Sequence, residues 1–176
     1  MKQLDSTGLK RLHRDWRRQT PGRLAVVLDD VHGPFNVGAI IRTAAALRVD
    51  DVWLAGRTPE PDDAKVGKTS LGTQRYLTFH RAATGATAAR MASAAGYQVV
   101  AVELAAGAVA LHDLALGDAT CIVVGHEDRG CPPATLDACD AVAFVPLLGK
   151  VGSLNVATAA AIACYEVRRQ AWATPR

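Results

Sequence analysis

The chain has 176 residues, 49% of them hydrophobic and 21% charged, which is an ordinary globular composition with room for one sizeable core. It opens Met1-Lys2-Gln3-Leu4-Asp5 with no apolar run behind, and its longest apolar stretch, 156–165, is far shorter than a bilayer crossing; neither a secretory signal nor a membrane span is expected, and a cytoplasmic protein is. The net charge of +3 is unevenly spread: residues 1–23 carry seven Lys and Arg against two Asp, residues 165–176 carry three Arg against one Glu, and the body between is mildly acidic, which suggests an anionic partner gripped by the ends.

Leu9, Leu12 and Trp16 recur at helical spacing, so a basic first helix is predicted over about residues 1–20, ended by Pro21-Gly22. Lys10, Arg14, Arg17 and Arg18 share another face of it; with Arg11 they are candidate phosphate contacts, and a solvated helix face is the alternative. Residues 24–28 form a short apolar strand, followed by a helix over 37–47 with Asn36 placed to cap it. A strand at 52–55, a loop rich in Pro and Asp, and a strand near 76–79 come next. An Ala-rich helix over 84–95, stopped by Gly96, leads into a strand over 98–104. Strands at 121–124 and 141–145 flank a short helix at 133–138, and a long helix over 153–170 closes the pattern. Apolar strands separated by helices predict an α/β fold, a parallel sheet covered by helices on both faces. No repeat or linker divides it, so residues 1–176 read as a single domain with a helical C-terminal extension over about 165–176. Cys121, Cys131, Cys139 and Cys164 form no CxxC pair and read as reduced core thiols.

Ligands of such sheets bind beyond the carboxyl ends of the strands, so segments just after strands carry the chemistry. Gly67-Lys68-Thr69 invites a phosphate-loop reading, but that loop needs a Gly where Asp62 stands, and an NTP site is rejected. His126-Glu127-Asp128 has no second His at metal-ligand spacing, so no metal is expected. Three segments remain. The first, 29–44, holds Asn36 and Arg42, for which a helix cap and a surface ion pair are the plain alternatives. The second, 124–130, has glycines that let a ligand approach the backbone. The third, 145–156, is a glycine-bearing loop running into a helix. Together they describe a nucleotide-like pocket.

These segments resemble the three motifs of the TrmH (SpoU) family of the SPOUT methyltransferase superfamily, over about residues 24–170. Asn36 with Ile41-Arg42-Thr43 is similar to the first motif, Gly125 with Glu127 and Gly130 to the second, and Pro146 through Ser153-Leu154-Asn155-Val156 to the third. The resemblance implies a C-terminal trefoil knot, a homodimer whose active site draws on both subunits, and S-adenosyl-L-methionine as methyl donor, with S-adenosyl-L-homocysteine as product. It implies cofactor contacts at Val102, Gly125, Val145, Leu147 and Leu154, and a catalytic set of Asn36, Arg42, Glu127, Ser153 and Asn155. Ala157, Ala160, Ala161 and Cys164 would permit close packing of the last helix. The short basic first helix and Arg168-Arg169 resemble the branch that methylates a guanosine ribose in tRNA, so Lys10, Arg11, Arg14, Arg17, Arg18, Arg168 and Arg169 are the expected RNA contacts. Ribosomal RNA is the alternative substrate, and an inactive RNA-binding protein the alternative of another class.

Transfer of a methyl group from a sulfonium to a ribose hydroxyl is an in-line displacement that also removes a proton from a weak acid. The resemblance gives Arg42 the role of base. Guanidinium has a pKa of roughly 13.8, so stabilising the developing alkoxide suits that side chain better than accepting a proton. Glu127 has a structural alternative, a carboxylate that satisfies backbone N–H groups.

Overall fold

A computed structural model of the protein describes residues 3–173; the outermost residues of both predicted terminal helices lie outside the described residues. Helix α1 (Ser6–Gln19) starts where the Asp5 side chain accepts from Gly8 N–H. Then come β1 (Arg23–Asp29), α2 (Pro34–Ala46), β2 (Asp51–Ala55), α3 (Ala64–Ser70), a 3-10 turn (Thr73–Tyr76) and β3 (Thr78–Ala82). Helix α4 (Gly85–Ala94), capped by Thr84, leads to β4 (Gln98–Val102), β5 (Val109–Ala110), a 3-10 turn (Leu111–Asp113) and β6 (Ala119–Val124). Helix α5 (Pro133–Leu136), β7 (Ala141–Phe144) and α6 (Val156–Ala173) complete the order.

The seven strands form one sheet in the order β3-β2-β1-β6-β4-β7-β5, and every pairing is parallel. Alternation along the central strands divides the core in two. Leu24, Val26 and Leu28 of β1 join Ile122 and Val124 of β6 in a cluster with α2 and α6. Ala25 and Val27 join Cys121 and Val123 in a second cluster with α4. Both faces are covered, which is why the strands read as continuous apolar runs rather than alternating ones. No helix of the described residues is long and apolar enough to cross a membrane.

The structure departs from the sequence reading at four places that bear on function. Gly33, not Asn36, is the N-cap of α2; Pro34 starts the helix and Asn36 sits inside its first turn with its side chain free for other work. The polar stretch before β3 contains α3, so Gly67-Lys68-Thr69 lies in a short helix rather than a loop. Helix α6 begins at Val156, leaving residues 145–155 as a long loop. Arg168 is not an RNA contact. It is 2% exposed, and its guanidinium donates to four backbone carbonyls: Leu47 at 3.0 Å, Arg48 at 2.6 Å, Gly22 at 3.3 Å and Pro21 at 3.5 Å. It therefore stitches α6 to the turns that flank β1 and β2. Burial pushes the guanidinium down from its usual pKa, and neighbouring Arg48 adds to the shift.

Helix α1 lies on the surface with no buried residue. Its Trp16 meets Trp172 of α6 with ring centroids 5.0 Å apart, and Trp172 Nε1 donates to Thr20 Oγ1 at 2.7 Å. Lys10, Arg11, Arg14, Arg17 and Arg18 are all exposed. Arg169, next to Arg168 but turned outward, forms a two-pronged pair with Glu166 at 2.7 Å on each arm.

Candidate active site

The carboxyl ends of β4, β6 and β7 open onto a cavity of about 270 Å³. Its walls are the β6–α5 turn (residues 124–130), the start of the β4–β5 connection (102–104) and the loop from β7 into α6 (144–156). Glycine is required at two points of the turn. A Cβ on Gly125 would collide with the backbone of Gly130 and Cys131, and Gly130 has φ +64 and packs against the Glu103 carboxylate. The turn is closed by paired backbone bonds between His126 and Gly130, at 2.9 and 3.2 Å.

Val102, Gly125, Val145, Leu147 and Leu154, the five positions expected to hold cofactor, all line this cavity, as do Glu127 and Ser153. Asn36 and Asn155 stand beside it, tied to its wall. Glu127 Oε1 accepts from Gly33 N–H at 2.8 Å and from Asn36 Nδ2 at 3.0 Å, and its Oε2 accepts from His32 N–H at 3.1 Å. Asn155 Nδ2 in turn donates to Asn36 Oδ1 at 2.9 Å. Glu127 thus satisfies orphan N–H groups at the start of α2. Burial alone would raise its pKa, but the bonds from Asn36, from its own N–H and from Gly33 and His32 outweigh that and hold the carboxyl below its usual range. It is a fixed anion at neutral pH.

Arg42 is placed apart from this group. It lies on α2 six residues beyond Asn36, about 9 Å along the axis, and is not part of the cavity wall. It is exposed and has no hydrogen-bond or ion-pair partner among the described residues.

Several residues around the cavity escaped the sequence reading. Glu103 lines it directly after β4 and accepts from Cys131 N–H at 2.9 Å and Leu104 N–H at 3.1 Å, bracing two walls together. The predicted strand over 98–104 enclosed it; β4 ends at Val102, which places Glu103 just past the strand. Beside the β6–α5 turn, the rings of His32 and His126 meet edge to face at 4.6 Å, and His32 Nε2 lies 3.0 Å from Asp30 Oδ1. Asp30 also accepts from Arg57 N–H at 2.9 Å and from Arg129 at 3.1 Å; burial would raise its pKa, but the contacts with Arg57 and His32 outweigh that and lower it. No sequence spacing links residues 30, 57 and 129, so this cluster was visible only in the fold. No group of three or more His, Cys, Asp or Glu among the described residues is placed to hold a metal.

The SpoU rRNA methylase family matches residues 23–165. The chain belongs to that family. Among relatives of this SpoU protein, the tRNA (guanosine(18)-2'-O)-methyltransferase of Escherichia coli K12 is 35% identical over 150 residues, covering 84% of this chain and 63% of that one. An uncharacterized tRNA/rRNA methyltransferase of Mycobacterium ulcerans is 34% identical over 151 residues, covering 86% and 48%. The chain therefore spans between about half and three-fifths of the length of these relatives. The AdoMet-bound rRNA methyltransferase of Sinorhizobium meliloti superposes with a TM-score of 0.78 at 34% identity, over 86% of this chain and 57% of that one.

Proposed function

We propose that this SpoU-family chain transfers a methyl group from S-adenosyl-L-methionine to a ribose 2′-hydroxyl of RNA, with a guanosine of tRNA as the acceptor. The observation that carries the reading is the cavity at the strand ends. Its apolar walls (Val102, Leu104, Val145, Leu147, Leu154) suit an adenine ring, and its Glu103, Glu127 and Asp128 suit a sulfonium cation. The Gly125–Gly130 turn, packed so tightly that a Cβ at either glycine would strike the protein itself, forms a fixed wall for a ligand to lie against. When bound, the cofactor supplies an activated methyl group.

The chain's own residues then divide the work. Glu127, Asn36 and Asn155 hold the β1–α2 loop, the β6–α5 turn and the start of α6 at fixed distances, so the cavity walls are set before a ligand enters. Ser153 and Leu154 close the cavity from the α6 side. Arg42, unpaired on α2, stabilises the developing alkoxide of the acceptor ribose or binds the adjoining phosphate. The cationic face of α1 grips the body of the RNA through Lys10, Arg11, Arg14, Arg17 and Arg18.

A second copy of the chain belongs to the same reading. The outer face of α6 leaves Ile162 39% and Tyr165 53% exposed over an apolar hollow of about 460 Å³ shared with Leu111, Val145 and Pro146, while Leu148 and Val151 of the loop stand out at 100% and 65%. We assign this surface to a homodimer that brings one subunit's Arg42 toward its partner's cavity. The segment after β7 is read as threading a trefoil knot around the cofactor, and the protein as cytoplasmic, in keeping with four free cysteines.

The test is methyl transfer from labelled S-adenosyl-L-methionine to unmodified tRNA and, separately, to ribosomal RNA, with nucleoside mass spectrometry of the product. A 2′-O-methylguanosine in tRNA is expected. Label in ribosomal RNA alone moves the substrate; cofactor binding without label in either RNA favours an RNA-binding protein without activity; no cofactor binding overturns the proposal.

A further inference from the structure

A second charged surface lies where α3 packs on α2. Helix α3 presses on α2 so closely that a Cβ on Gly38 would overlap Thr69 Oγ1 and the Val66 carbonyl, and Thr69 Oγ1 donates to the Phe35 carbonyl at 3.1 Å. That crossing leaves Phe35 one turn before it and Arg42 one turn after it, on either side of α3. From residue 64 to residue 76 the chain carries Lys65, Lys68 and Arg75 and no carboxylate. Lys65 and Lys68, like Arg42, have no ion-pair partner among the described residues.

Large rings and apolar side chains stand exposed among these cations. Tyr76 is 64% exposed, Leu71 61% and Phe35 54%. The Arg75 guanidinium lies over the Tyr76 ring, 4.8 Å from its centroid, and donates to Tyr76 Oη at 2.7 Å. Leu71 and Gly72 are both left-handed, at φ +51 and +78. That double bend ends α3 and turns the chain into the segment that presents Arg75 and Tyr76; for Leu71 it is a strained conformation.

Unpaired cations interleaved with exposed rings match a single-stranded nucleic acid, whose phosphates pair with Lys and Arg while its unstacked bases lie on aromatic faces. A protein interface core is instead depleted of Lys. We propose that the α2–α3 face binds the unpaired RNA segment around the acceptor nucleotide, with Lys68 and Arg75 on its phosphates and a base stacked on Tyr76. The inference rests on the proposed function and deepens it: Arg42, at the edge of this face, is where the bound segment meets the chemistry, while α1 holds the rest of the RNA.

The experiment measures binding of the full chain to unmodified tRNA and to ribosomal RNA over a range of NaCl concentrations, with calorimetry of S-adenosyl-L-methionine on the same samples. Replacing Lys68→Gln and Arg75→Gln together is expected to weaken RNA binding more than tenfold and to reduce the slope of log K against log salt by about 1.4. Tyr76→Ala is expected to weaken it about tenfold while Tyr76→Phe stays within about twofold of wild type, because the ring rather than the hydroxyl does the stacking. Cofactor affinity is expected to stay unchanged in all three. An unchanged affinity and slope in the double variant overturns the inference, as does a Tyr76→Phe loss equal to that of Tyr76→Ala. Dissociation of a dimer by Tyr76→Ala in sedimentation would give this face to a second copy and also overturn it. Failure of the wild type to bind cofactor sinks the proposed function itself, whereas cofactor and RNA binding that ignore these residues sink this inference alone.

Discussion

The side-chain amide of Asn155 donates to Asn36 Oδ1 at 2.9 Å, joining two residues 119 positions apart in the chain. Through Asn36 the link reaches Glu127, and through Asn155 Oδ1 it reaches the N–H groups of Ala157 at 2.9 Å and Thr158 at 3.3 Å, so Asn155 also caps α6. Three motifs that are separate in sequence form one hydrogen-bonded strut along the edge of the cavity.

Asn155→Ala removes a cap and one end of that strut. A lost cap costs about 1 kcal/mol, which for a chain of this size lowers the melting temperature by about 3 °C. Calorimetric unfolding checks this, and cofactor affinity is expected to fall with it because α6 and Leu154 adjoin. Unchanged stability would mean that water replaces the amide without loss.

Glu127 gives a pH dependence with a definite sign. Its pKa in the folded protein lies below the usual 4.5, so the carboxylate stabilises the fold above that value and the contribution is lost as pH falls through the lowered folded pKa. Urea unfolding of wild type and Glu127→Gln is expected to differ most near neutral pH and to converge toward pH 3. A difference that is constant across that range would show that the charge on Glu127 is not what the N–H groups of His32 and Gly33 require.

Arg42→Ala tests the division of labour. Since Arg42 makes no hydrogen bond or ion pair among the described residues and stands outside the cavity wall, the variant is expected to unfold at the wild-type temperature and to bind S-adenosyl-L-methionine within about twofold. Methyl transfer is expected to drop at least about a hundredfold, the scale of losing one group that stabilises developing charge. A variant with wild-type turnover would remove Arg42 from the chemistry.

The parts of the fold that were legible in sequence are those whose signal is repeated. Runs such as residues 24–28 and 121–124 are apolar at every position because both sheet faces are covered, and they mark the central strands without ambiguity. Helix α3 was not legible: it has seven residues, one Gly and a single large buried apolar side chain, Val66, so tertiary packing against Gly38 rather than periodicity makes it a helix. Strand β5, two residues long, has no pattern to read. For the site, Glu127 and Ser153 could be placed by motif resemblance, but Asn36 does not cap α2 as its position suggested, because Gly33-Pro34 starts the helix ahead of it. Asp30, His32 and Arg129 meet only because β1 and β6 are neighbours in the sheet.

Arg168 and Arg169 show the limit of reading charge from sequence, and they supply a last contrast. Neighbours on a helix point about 100° apart, so one arginine enters the interior and the other meets solvent. Arg168→Leu would remove the donor from the part-buried carbonyls of Leu47 and Arg48, while the Gly22 carbonyl keeps its bond from Arg48. Each group left without a donor costs on the order of 1–3 kcal/mol, so a loss of at least about 2 kcal/mol is expected, seen as a fall in the urea midpoint. Arg169→Ala is expected to change that midpoint little, because the Arg169 side of its pair with Glu166 is half exposed and screened by solvent, and Glu166 keeps its bond from Gln170. RNA binding sorts the two differently. If the C-terminal end of the chain helps hold RNA, Arg169→Ala weakens binding and shallows its salt dependence, whereas Arg168→Leu acts only through folding. Equal loss of RNA affinity in both variants at a temperature where both are folded would return Arg168 to the RNA surface.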